Sequence, residues 1–139
     1  MKKFIGISML MVLLFLSGCG TILDVIGGRE GMIFGTGTFE DGIQDKKSTF
    51  RSNEDFLLEA YSKKAFGTSE IKITTLKNDN NKEEIYEEWY DKVDPTWNEM
   101  LYEFHVVDYD GEYEPGDYIV RIFKDETNLL VEGTFSIEE

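Results

Sequence analysis

From Met32 to the end of the chain, apolar residues recur at every second position in short runs. Phe56, Leu58 and Ala60 alternate with Leu57, Glu59 and Tyr61, and Ile71 and Ile73 alternate with Lys72 and Thr74. Met100, Tyr102, Phe104 and Val106 alternate with Leu101, Glu103, His105 and Val107. Tyr118, Val120 and Ile122 alternate with Ile119, Arg121 and Phe123, and Val131, Phe135 and Ile137 with Glu132, Thr134 and Ser136. Successive side chains of an extended chain point to opposite faces, so a period of two with one apolar face predicts strands packed face to face. Met32–Phe39 is a further strand, weakened by Gly35 and Gly37. Turn signals separate the runs: Asp41-Gly42, Asn78-Asp79-Asn80-Asn81 and Asp125-Glu126-Thr127-Asn128.

The segment Lys82–Val93 admits two readings. Ile85, Trp89 and Val93 are four apart, as on a helix, and Glu83, Glu84, Glu87 and Glu88 suit a helix start. As a strand it puts Ile85 and Trp89 on one side, with Tyr86 and Tyr90 on the other. Its aromatics favour a strand, as do its neighbours, and Asp94-Pro95 ends it either way.

The pattern therefore predicts an all-β antiparallel sandwich of about seven strands over residues 32–139. Phe56, Leu58, Ile71, Ile73, Tyr102, Phe104, Tyr118, Val120, Ile122, Phe135 and Ile137 should be buried. About seven short strands with frequent turns match the profile of an immunoglobulin-like sandwich. A local motif agrees. Tyr113-Glu114-Pro115-Gly116-Asp117-Tyr118-Ile119-Val120 resembles the approach to the sixth strand in immunoglobulin-like and fibronectin-like domains. That resemblance implies a Pro-Gly turn and a tyrosine corner, with the Tyr118 hydroxyl folded back onto the loop backbone. The hairpin from Tyr118 to Ile137 is similar to the last two strands of such domains. The resemblance concerns fold and names no function.

The N-terminus follows different rules. Met1-Lys2-Lys3 is a positive start, and Phe4–Leu16 is apolar apart from Gly6 and Ser8. That run is shorter than the roughly 20 residues needed to cross a bilayer as a helix, and has the length of a signal-peptide core. It closes on Leu16-Ser17-Gly18-Cys19, which resembles the lipobox of bacterial lipoproteins. The resemblance implies that residues 1–18 are removed as a signal peptide. Cys19 then becomes the acylated first residue, carrying diacylglycerol and chains of the palmitate kind. Two or three acyl chains anchor far more firmly than one. Residues 19–31, with Gly27-Gly28 and Gly31, read as a tether. Cys19 is the only cysteine, so no intrachain disulfide forms. The expected location is the extracytoplasmic face of a cell membrane, in the bacterial envelope, held through the lipid on Cys19.

Charge narrows the partners. The chain carries 14 basic and 28 acidic residues, a formal charge of −14. Losing Lys2 and Lys3 with the leader takes the basic count from 14 to 12 against 28 acids, a charge of −16. Such a surface repels nucleic acid, and no DNA- or RNA-binding role is expected. Aromatics make up 14% of the chain, which favours a packed core over disorder.

Candidate chemistry is sparse. His105 is the only histidine, lies opposite Tyr102 and Phe104 on the strand pattern, and is expected to be exposed. No Ser–His–Asp set assembles around it by local spacing. Asp108-Tyr109-Asp110-Gly111-Glu112 begins like a calcium loop, but the twelfth position is Ile119 where an EF-hand needs Glu. A looser calcium site aided by Glu114 or Asp117 is the alternative reading, as a metal-dependent extracytoplasmic domain. Glu83, Glu84, Glu87, Glu88 and Asp91 read as a solvated charge run. No phosphate-binding glycine loop or zinc spacing is present. The expectation is a non-enzymatic binding module without a cofactor, meeting a protein, peptide or envelope polymer. Its expected surface combines Trp89, Tyr90, Trp97, Tyr109 and Tyr113, where aromatic contact area is ringed by acids.

Overall fold

A computed structural model describes residues 31–105 and 113–139. The leader, Cys19 and nearly all of the tether lie outside them, as does the loop Asp108–Glu112. The described residues form nine strands and no helix. In chain order these are β1 (Gly31–Thr38), β2 (Gly42–Lys46), β3 (Thr49–Arg51), β4 (Phe56–Tyr61), β5 (Glu70–Asp79), β6 (Lys82–Lys92), β7 (Glu99–Phe104), β8 (Gly116–Lys124) and β9 (Asn128–Glu138). They make two sheets, ordered β2-β1-β4-β7 and β3-β9-β8-β5-β6.

Seven of the nine follow from the alternation. β2 and β3 do not, for a physical reason. β2 reads Gly-Ile-Gln-Asp-Lys with one large apolar residue, and β3 is three residues long, too short to display a period. β3 also corrects the expectation of a wholly antiparallel fold: it runs parallel to β9, pairing Phe50 with Ile137. The chain passes from the edge of one sheet to the edge of the other through Lys47 and Ser48 alone.

β6 is a strand, but its faces are not those of simple alternation. A bulge opposite Thr75 and Leu76 pairs Thr75 with Glu87 and Leu76 with Ile85, leaving Tyr86 as the extra residue. The phase slips by one. Tyr86 joins Trp89 against the core, while Ile85 turns outward and is 66% exposed.

The core lies between the sheets, and ten of the eleven residues expected there are buried; Tyr102 is half-buried at the rim. Phe56 of β4 stands at its centre. Its ring stacks on Phe50 of the opposite sheet at 4.2 Å and on Phe104 at 4.8 Å. Burying one such side chain is worth about 1.5–3 kcal/mol, whereas an exposed ion pair contributes about 0–1. The aromatic row, not the surface charge, holds the sheets together. The Tyr118 hydroxyl donates to the Glu114 carbonyl at 2.5 Å, the back-bond expected of a tyrosine corner.

Two close approaches depend on glycine. Phe34 faces the core, so a Cβ on Gly35 would point to the outer face of the first sheet. The Asp45 backbone and the Ile43 side chain of β2 already occupy that space. β2 therefore folds over the outer face, which is where Leu57, the register partner of Gly35, is buried. The glycines that weaken β1 as a strand are what let its hairpin double back. Between the sheets, Gly133 of β9 lies under Met32 and Phe34 of β1.

Candidate functional site

The two sides of the sandwich differ. On one, the crossing from β2 to β3 joins the sheet edges covalently. There the Lys47 amide donates to the Phe34 carbonyl at 3.1 Å, and the Ser136 amide donates to the Ser48 carbonyl at 2.8 Å. On the other side β6 and β7 are each the last strand of their sheet, and neither has an outer strand partner among the described residues. Residues 93–98 carry the chain from β6 to β7 at one end of this rim, and along the rest of it side chains close the gap. Trp89 of β6 meets Phe104 and Tyr102 of β7 edge-on, at 6.0 and 6.5 Å between ring centroids. The Tyr102 hydroxyl donates to the Asp91 carboxylate.

A groove of about 670 Å³ opens along this rim. Its apolar lining includes Phe39, Trp97, Met100, Leu101 and Tyr102. Its acids are Glu59, Asp91, Glu99 and Glu103, with Lys92 the only base among the described lining residues. Met100 and Tyr102 face the core side of β7, whereas Leu101 and Glu103 face the outer side. The groove therefore straddles the free edge of that strand. A smaller hollow of about 350 Å³ continues it past Trp89, Phe104 and Tyr113, and shares Tyr102 and Glu103 with it.

Local structure explains how the rings are held. After β6 the chain turns at Asp94-Pro95, and the Asp94 carboxylate accepts from the Thr96 amide and hydroxyl at 2.8 and 2.6 Å. Those bonds hold the Asp94 carboxyl below its usual range. The Trp97 carbonyl accepts from the Phe66 amide at 2.7 Å, which pins the backbone while the indole stays 52% exposed. Phe39, at the β1–β2 turn, is 63% exposed. Burial, then the bond to Asp91, pushes the Tyr102 phenol well above its ordinary value. Burial, then a bond to Glu59, does the same to Tyr61. Both phenols therefore stay protonated and serve as donors to groove carboxylates.

The expected surface residues separate. Trp97 lies in the large groove, and Trp89 is half-buried between the core and the rim. Tyr90 is exposed but lies away from the groove, its hydroxyl donating to Glu126 at 3.2 Å. Tyr113 is a correction: at 2% exposure it belongs to the core. It packs 5.4 Å from Tyr118, and its hydroxyl donates to Glu87 at 2.6 Å. Tyr109 lies outside the described residues. Sequence reasoning missed Phe39, although an aromatic beside the Glu40-Asp41-Gly42 turn was a usable signal. It also missed Tyr102, whose place in the alternation suggested only core.

His105 is exposed between two carboxylates, with Nδ1 3.7 Å from Asp55 and Nε2 3.4 Å from Glu103. No cluster of three or more metal-ligating side chains occurs among the described residues. No protein-family model matches the chain, and no curated protein matches it.

Proposed function

We propose that this protein is a lipid-anchored, extracytoplasmic binding module with an immunoglobulin-like sandwich, acting without catalysis through the β6–β7 rim. The observation that carries the reading is the rim itself. There the last strands of both sheets bound an aromatic-lined groove that no other strand among the described residues covers.

Strand pairing supports the fold assignment. An immunoglobulin-like domain sets strands A, B and E side by side in one sheet. It sets G, F, C and C′ side by side in the other. The order β1-β4-β7 fits the first set, and β9-β8-β5-β6 fits the second. The bond from Tyr118 to the Glu114 carbonyl adds the corner expected before strand F. The ordered leader ending in Leu16-Ser17-Gly18-Cys19 supports the anchor.

The test uses the full-length protein in a producing bacterium. A photo-crosslinking residue replaces Trp97 in one variant and Tyr90 in another, since only the first position lies in the groove. Crosslinked species from position 97 but not from position 90 are the expected result. Equal labelling at both, or none at 97, overturns the rim as the binding surface. For the anchor, Cys19→Ala should yield an unprocessed chain that takes up no labelled fatty acid. Unchanged mass and labelling would reject lipidation.

A further inference from the structure

We propose that the rim groove takes an extended, lysine- or arginine-bearing polypeptide segment, which adds to the free edge of β7 as an extra strand. This rests on the rim being the binding surface and adds the chemistry of its occupant.

Three observations converge. First, β7 is the outermost strand of its sheet, and residues from both of its faces line the groove. A strand in that position presents unpaired backbone donors and acceptors, the template for adding another strand. β6, the neighbouring edge, is armoured differently: Lys82, Glu83, Glu84, Glu87, Glu88, Asp91 and Lys92 crowd its length. β7 has only Glu99 and Glu103 among its six residues.

Second, the groove offers side-chain sites. An added strand places alternate residues on opposite faces. On one side they meet Tyr102 and Met100, and on the other Leu101 and the exposed ring of Phe39. Six residues of β7 match an added segment of about 20 Å at roughly 3.3 Å per residue.

Third, charge selects the occupant. Glu59, Asp91 and Glu99 make no ion pair with a lysine or arginine among the described residues. Several cations elsewhere are engaged: Arg121 with Glu83 and Glu132, Lys77 with Glu114, Lys82 with Glu84, and Lys47 with Glu54. Four carboxylates line the groove against one lysine, an excess that a basic segment would offset. A second copy of this chain is disfavoured by its charge of −14.

The experiment titrates the full chain with three synthetic decapeptides. One alternates Lys with Val, and one alternates Glu with Val. The third repeats the Lys-Val sequence with every backbone amide N-methylated, which keeps the charge and removes the backbone donors from both edges. The Lys-Val peptide should bind with backbone amide shifts confined to β7 and its groove. The other two should bind at least tenfold more weakly, and Glu99→Lys with Glu103→Lys should cost at least tenfold. Equal affinity for the Glu-Val peptide overturns the charge selection, and equal affinity for the methylated peptide overturns strand addition. Shifts centred on β2 or β3 overturn the site. If no peptide binds while position 97 still crosslinks, the occupant is wrong and the binding surface stands; adducts lost on glycosidase treatment would then identify a glycan. Circular dichroism of the double variant checks its fold, and the peptide comparison on the unaltered chain keeps the proposal testable if that variant unfolds.

Discussion

The Tyr102 hydroxyl of β7 donates to the Asp91 carboxylate of β6, tying together the outer strands of two different sheets. Neither strand pairs with the other through its backbone, so beyond the crossing at residues 93–98 this bond and the Trp89 ring help to span the rim.

Removing that bond should loosen the rim without emptying the core. Tyr102→Phe keeps the ring and loses only the hydroxyl, for an expected cost of about 1 kcal/mol. Asp91→Asn should cost a similar amount. The two together should cost less than their sum, because they break one interaction. Urea unfolding of the four proteins in this cycle measures the coupling. Strict additivity would mean that the hydroxyl and the carboxylate do not interact in solution.

Gly133 sets the distance between β1 and β9. A Cβ there would lie 2.6 Å from the Met32 Cβ and 2.9 Å from the Phe34 ring, closer than carbon atoms approach. Gly133→Ala should destabilise by about 1–3 kcal/mol through overpacking, lowering the melting temperature by roughly 4–12 °C. Replacing Met32 by Gly in the same chain removes the clashing Cβ and should recover part of the loss. Calorimetry of the single and double variants distinguishes local overpacking from a general intolerance of side chains in β9.

Acid stability should depend on Glu54. Its carboxylate accepts from Lys47 and from the Arg51 amide, and the bond from Lys47 holds its pKa below the usual glutamate value against the opposing effect of burial. A carboxyl with a depressed folded-state pKa stabilises the fold above its unfolded value and loses that contribution as pH falls through the folded one. Glu54→Gln should therefore be less stable than the unaltered protein at pH 7, by at most about 1 kcal/mol for so exposed a pair. The gap should close below about pH 4, under the usual glutamate range near 4.3. Melting curves at both pH values check it, and a gap unchanged at pH 3 would show that the pair is not its source. Charge repulsion across the acidic surface changes with pH almost equally in the two proteins and drops out of the comparison.

What the sequence determined by itself was the alternation and everything that depends on nearest neighbours. Ile71 and Ile73, or Tyr118, Val120 and Ile122, disclose a strand and its buried face because a side chain's face is set by the parity of its position. The Tyr118 back-bond was legible for the same reason, since four residues span the contact. Tertiary structure alone decided the rest. The bulge at Tyr86 reversed the parity of half of β6, and only its pairing with β5 reveals it. β3 became a strand because Phe50 found a place beside Phe56 and a partner in β9, neither encoded in three residues. Tyr113 and Trp97 read alike as loop aromatics, yet one fills the core and the other stands exposed. That difference depends on which strands end at an open rim. Which edges stay unpaired is a property of sheet order, fixed by contacts far apart in the chain, and no local pattern carries it.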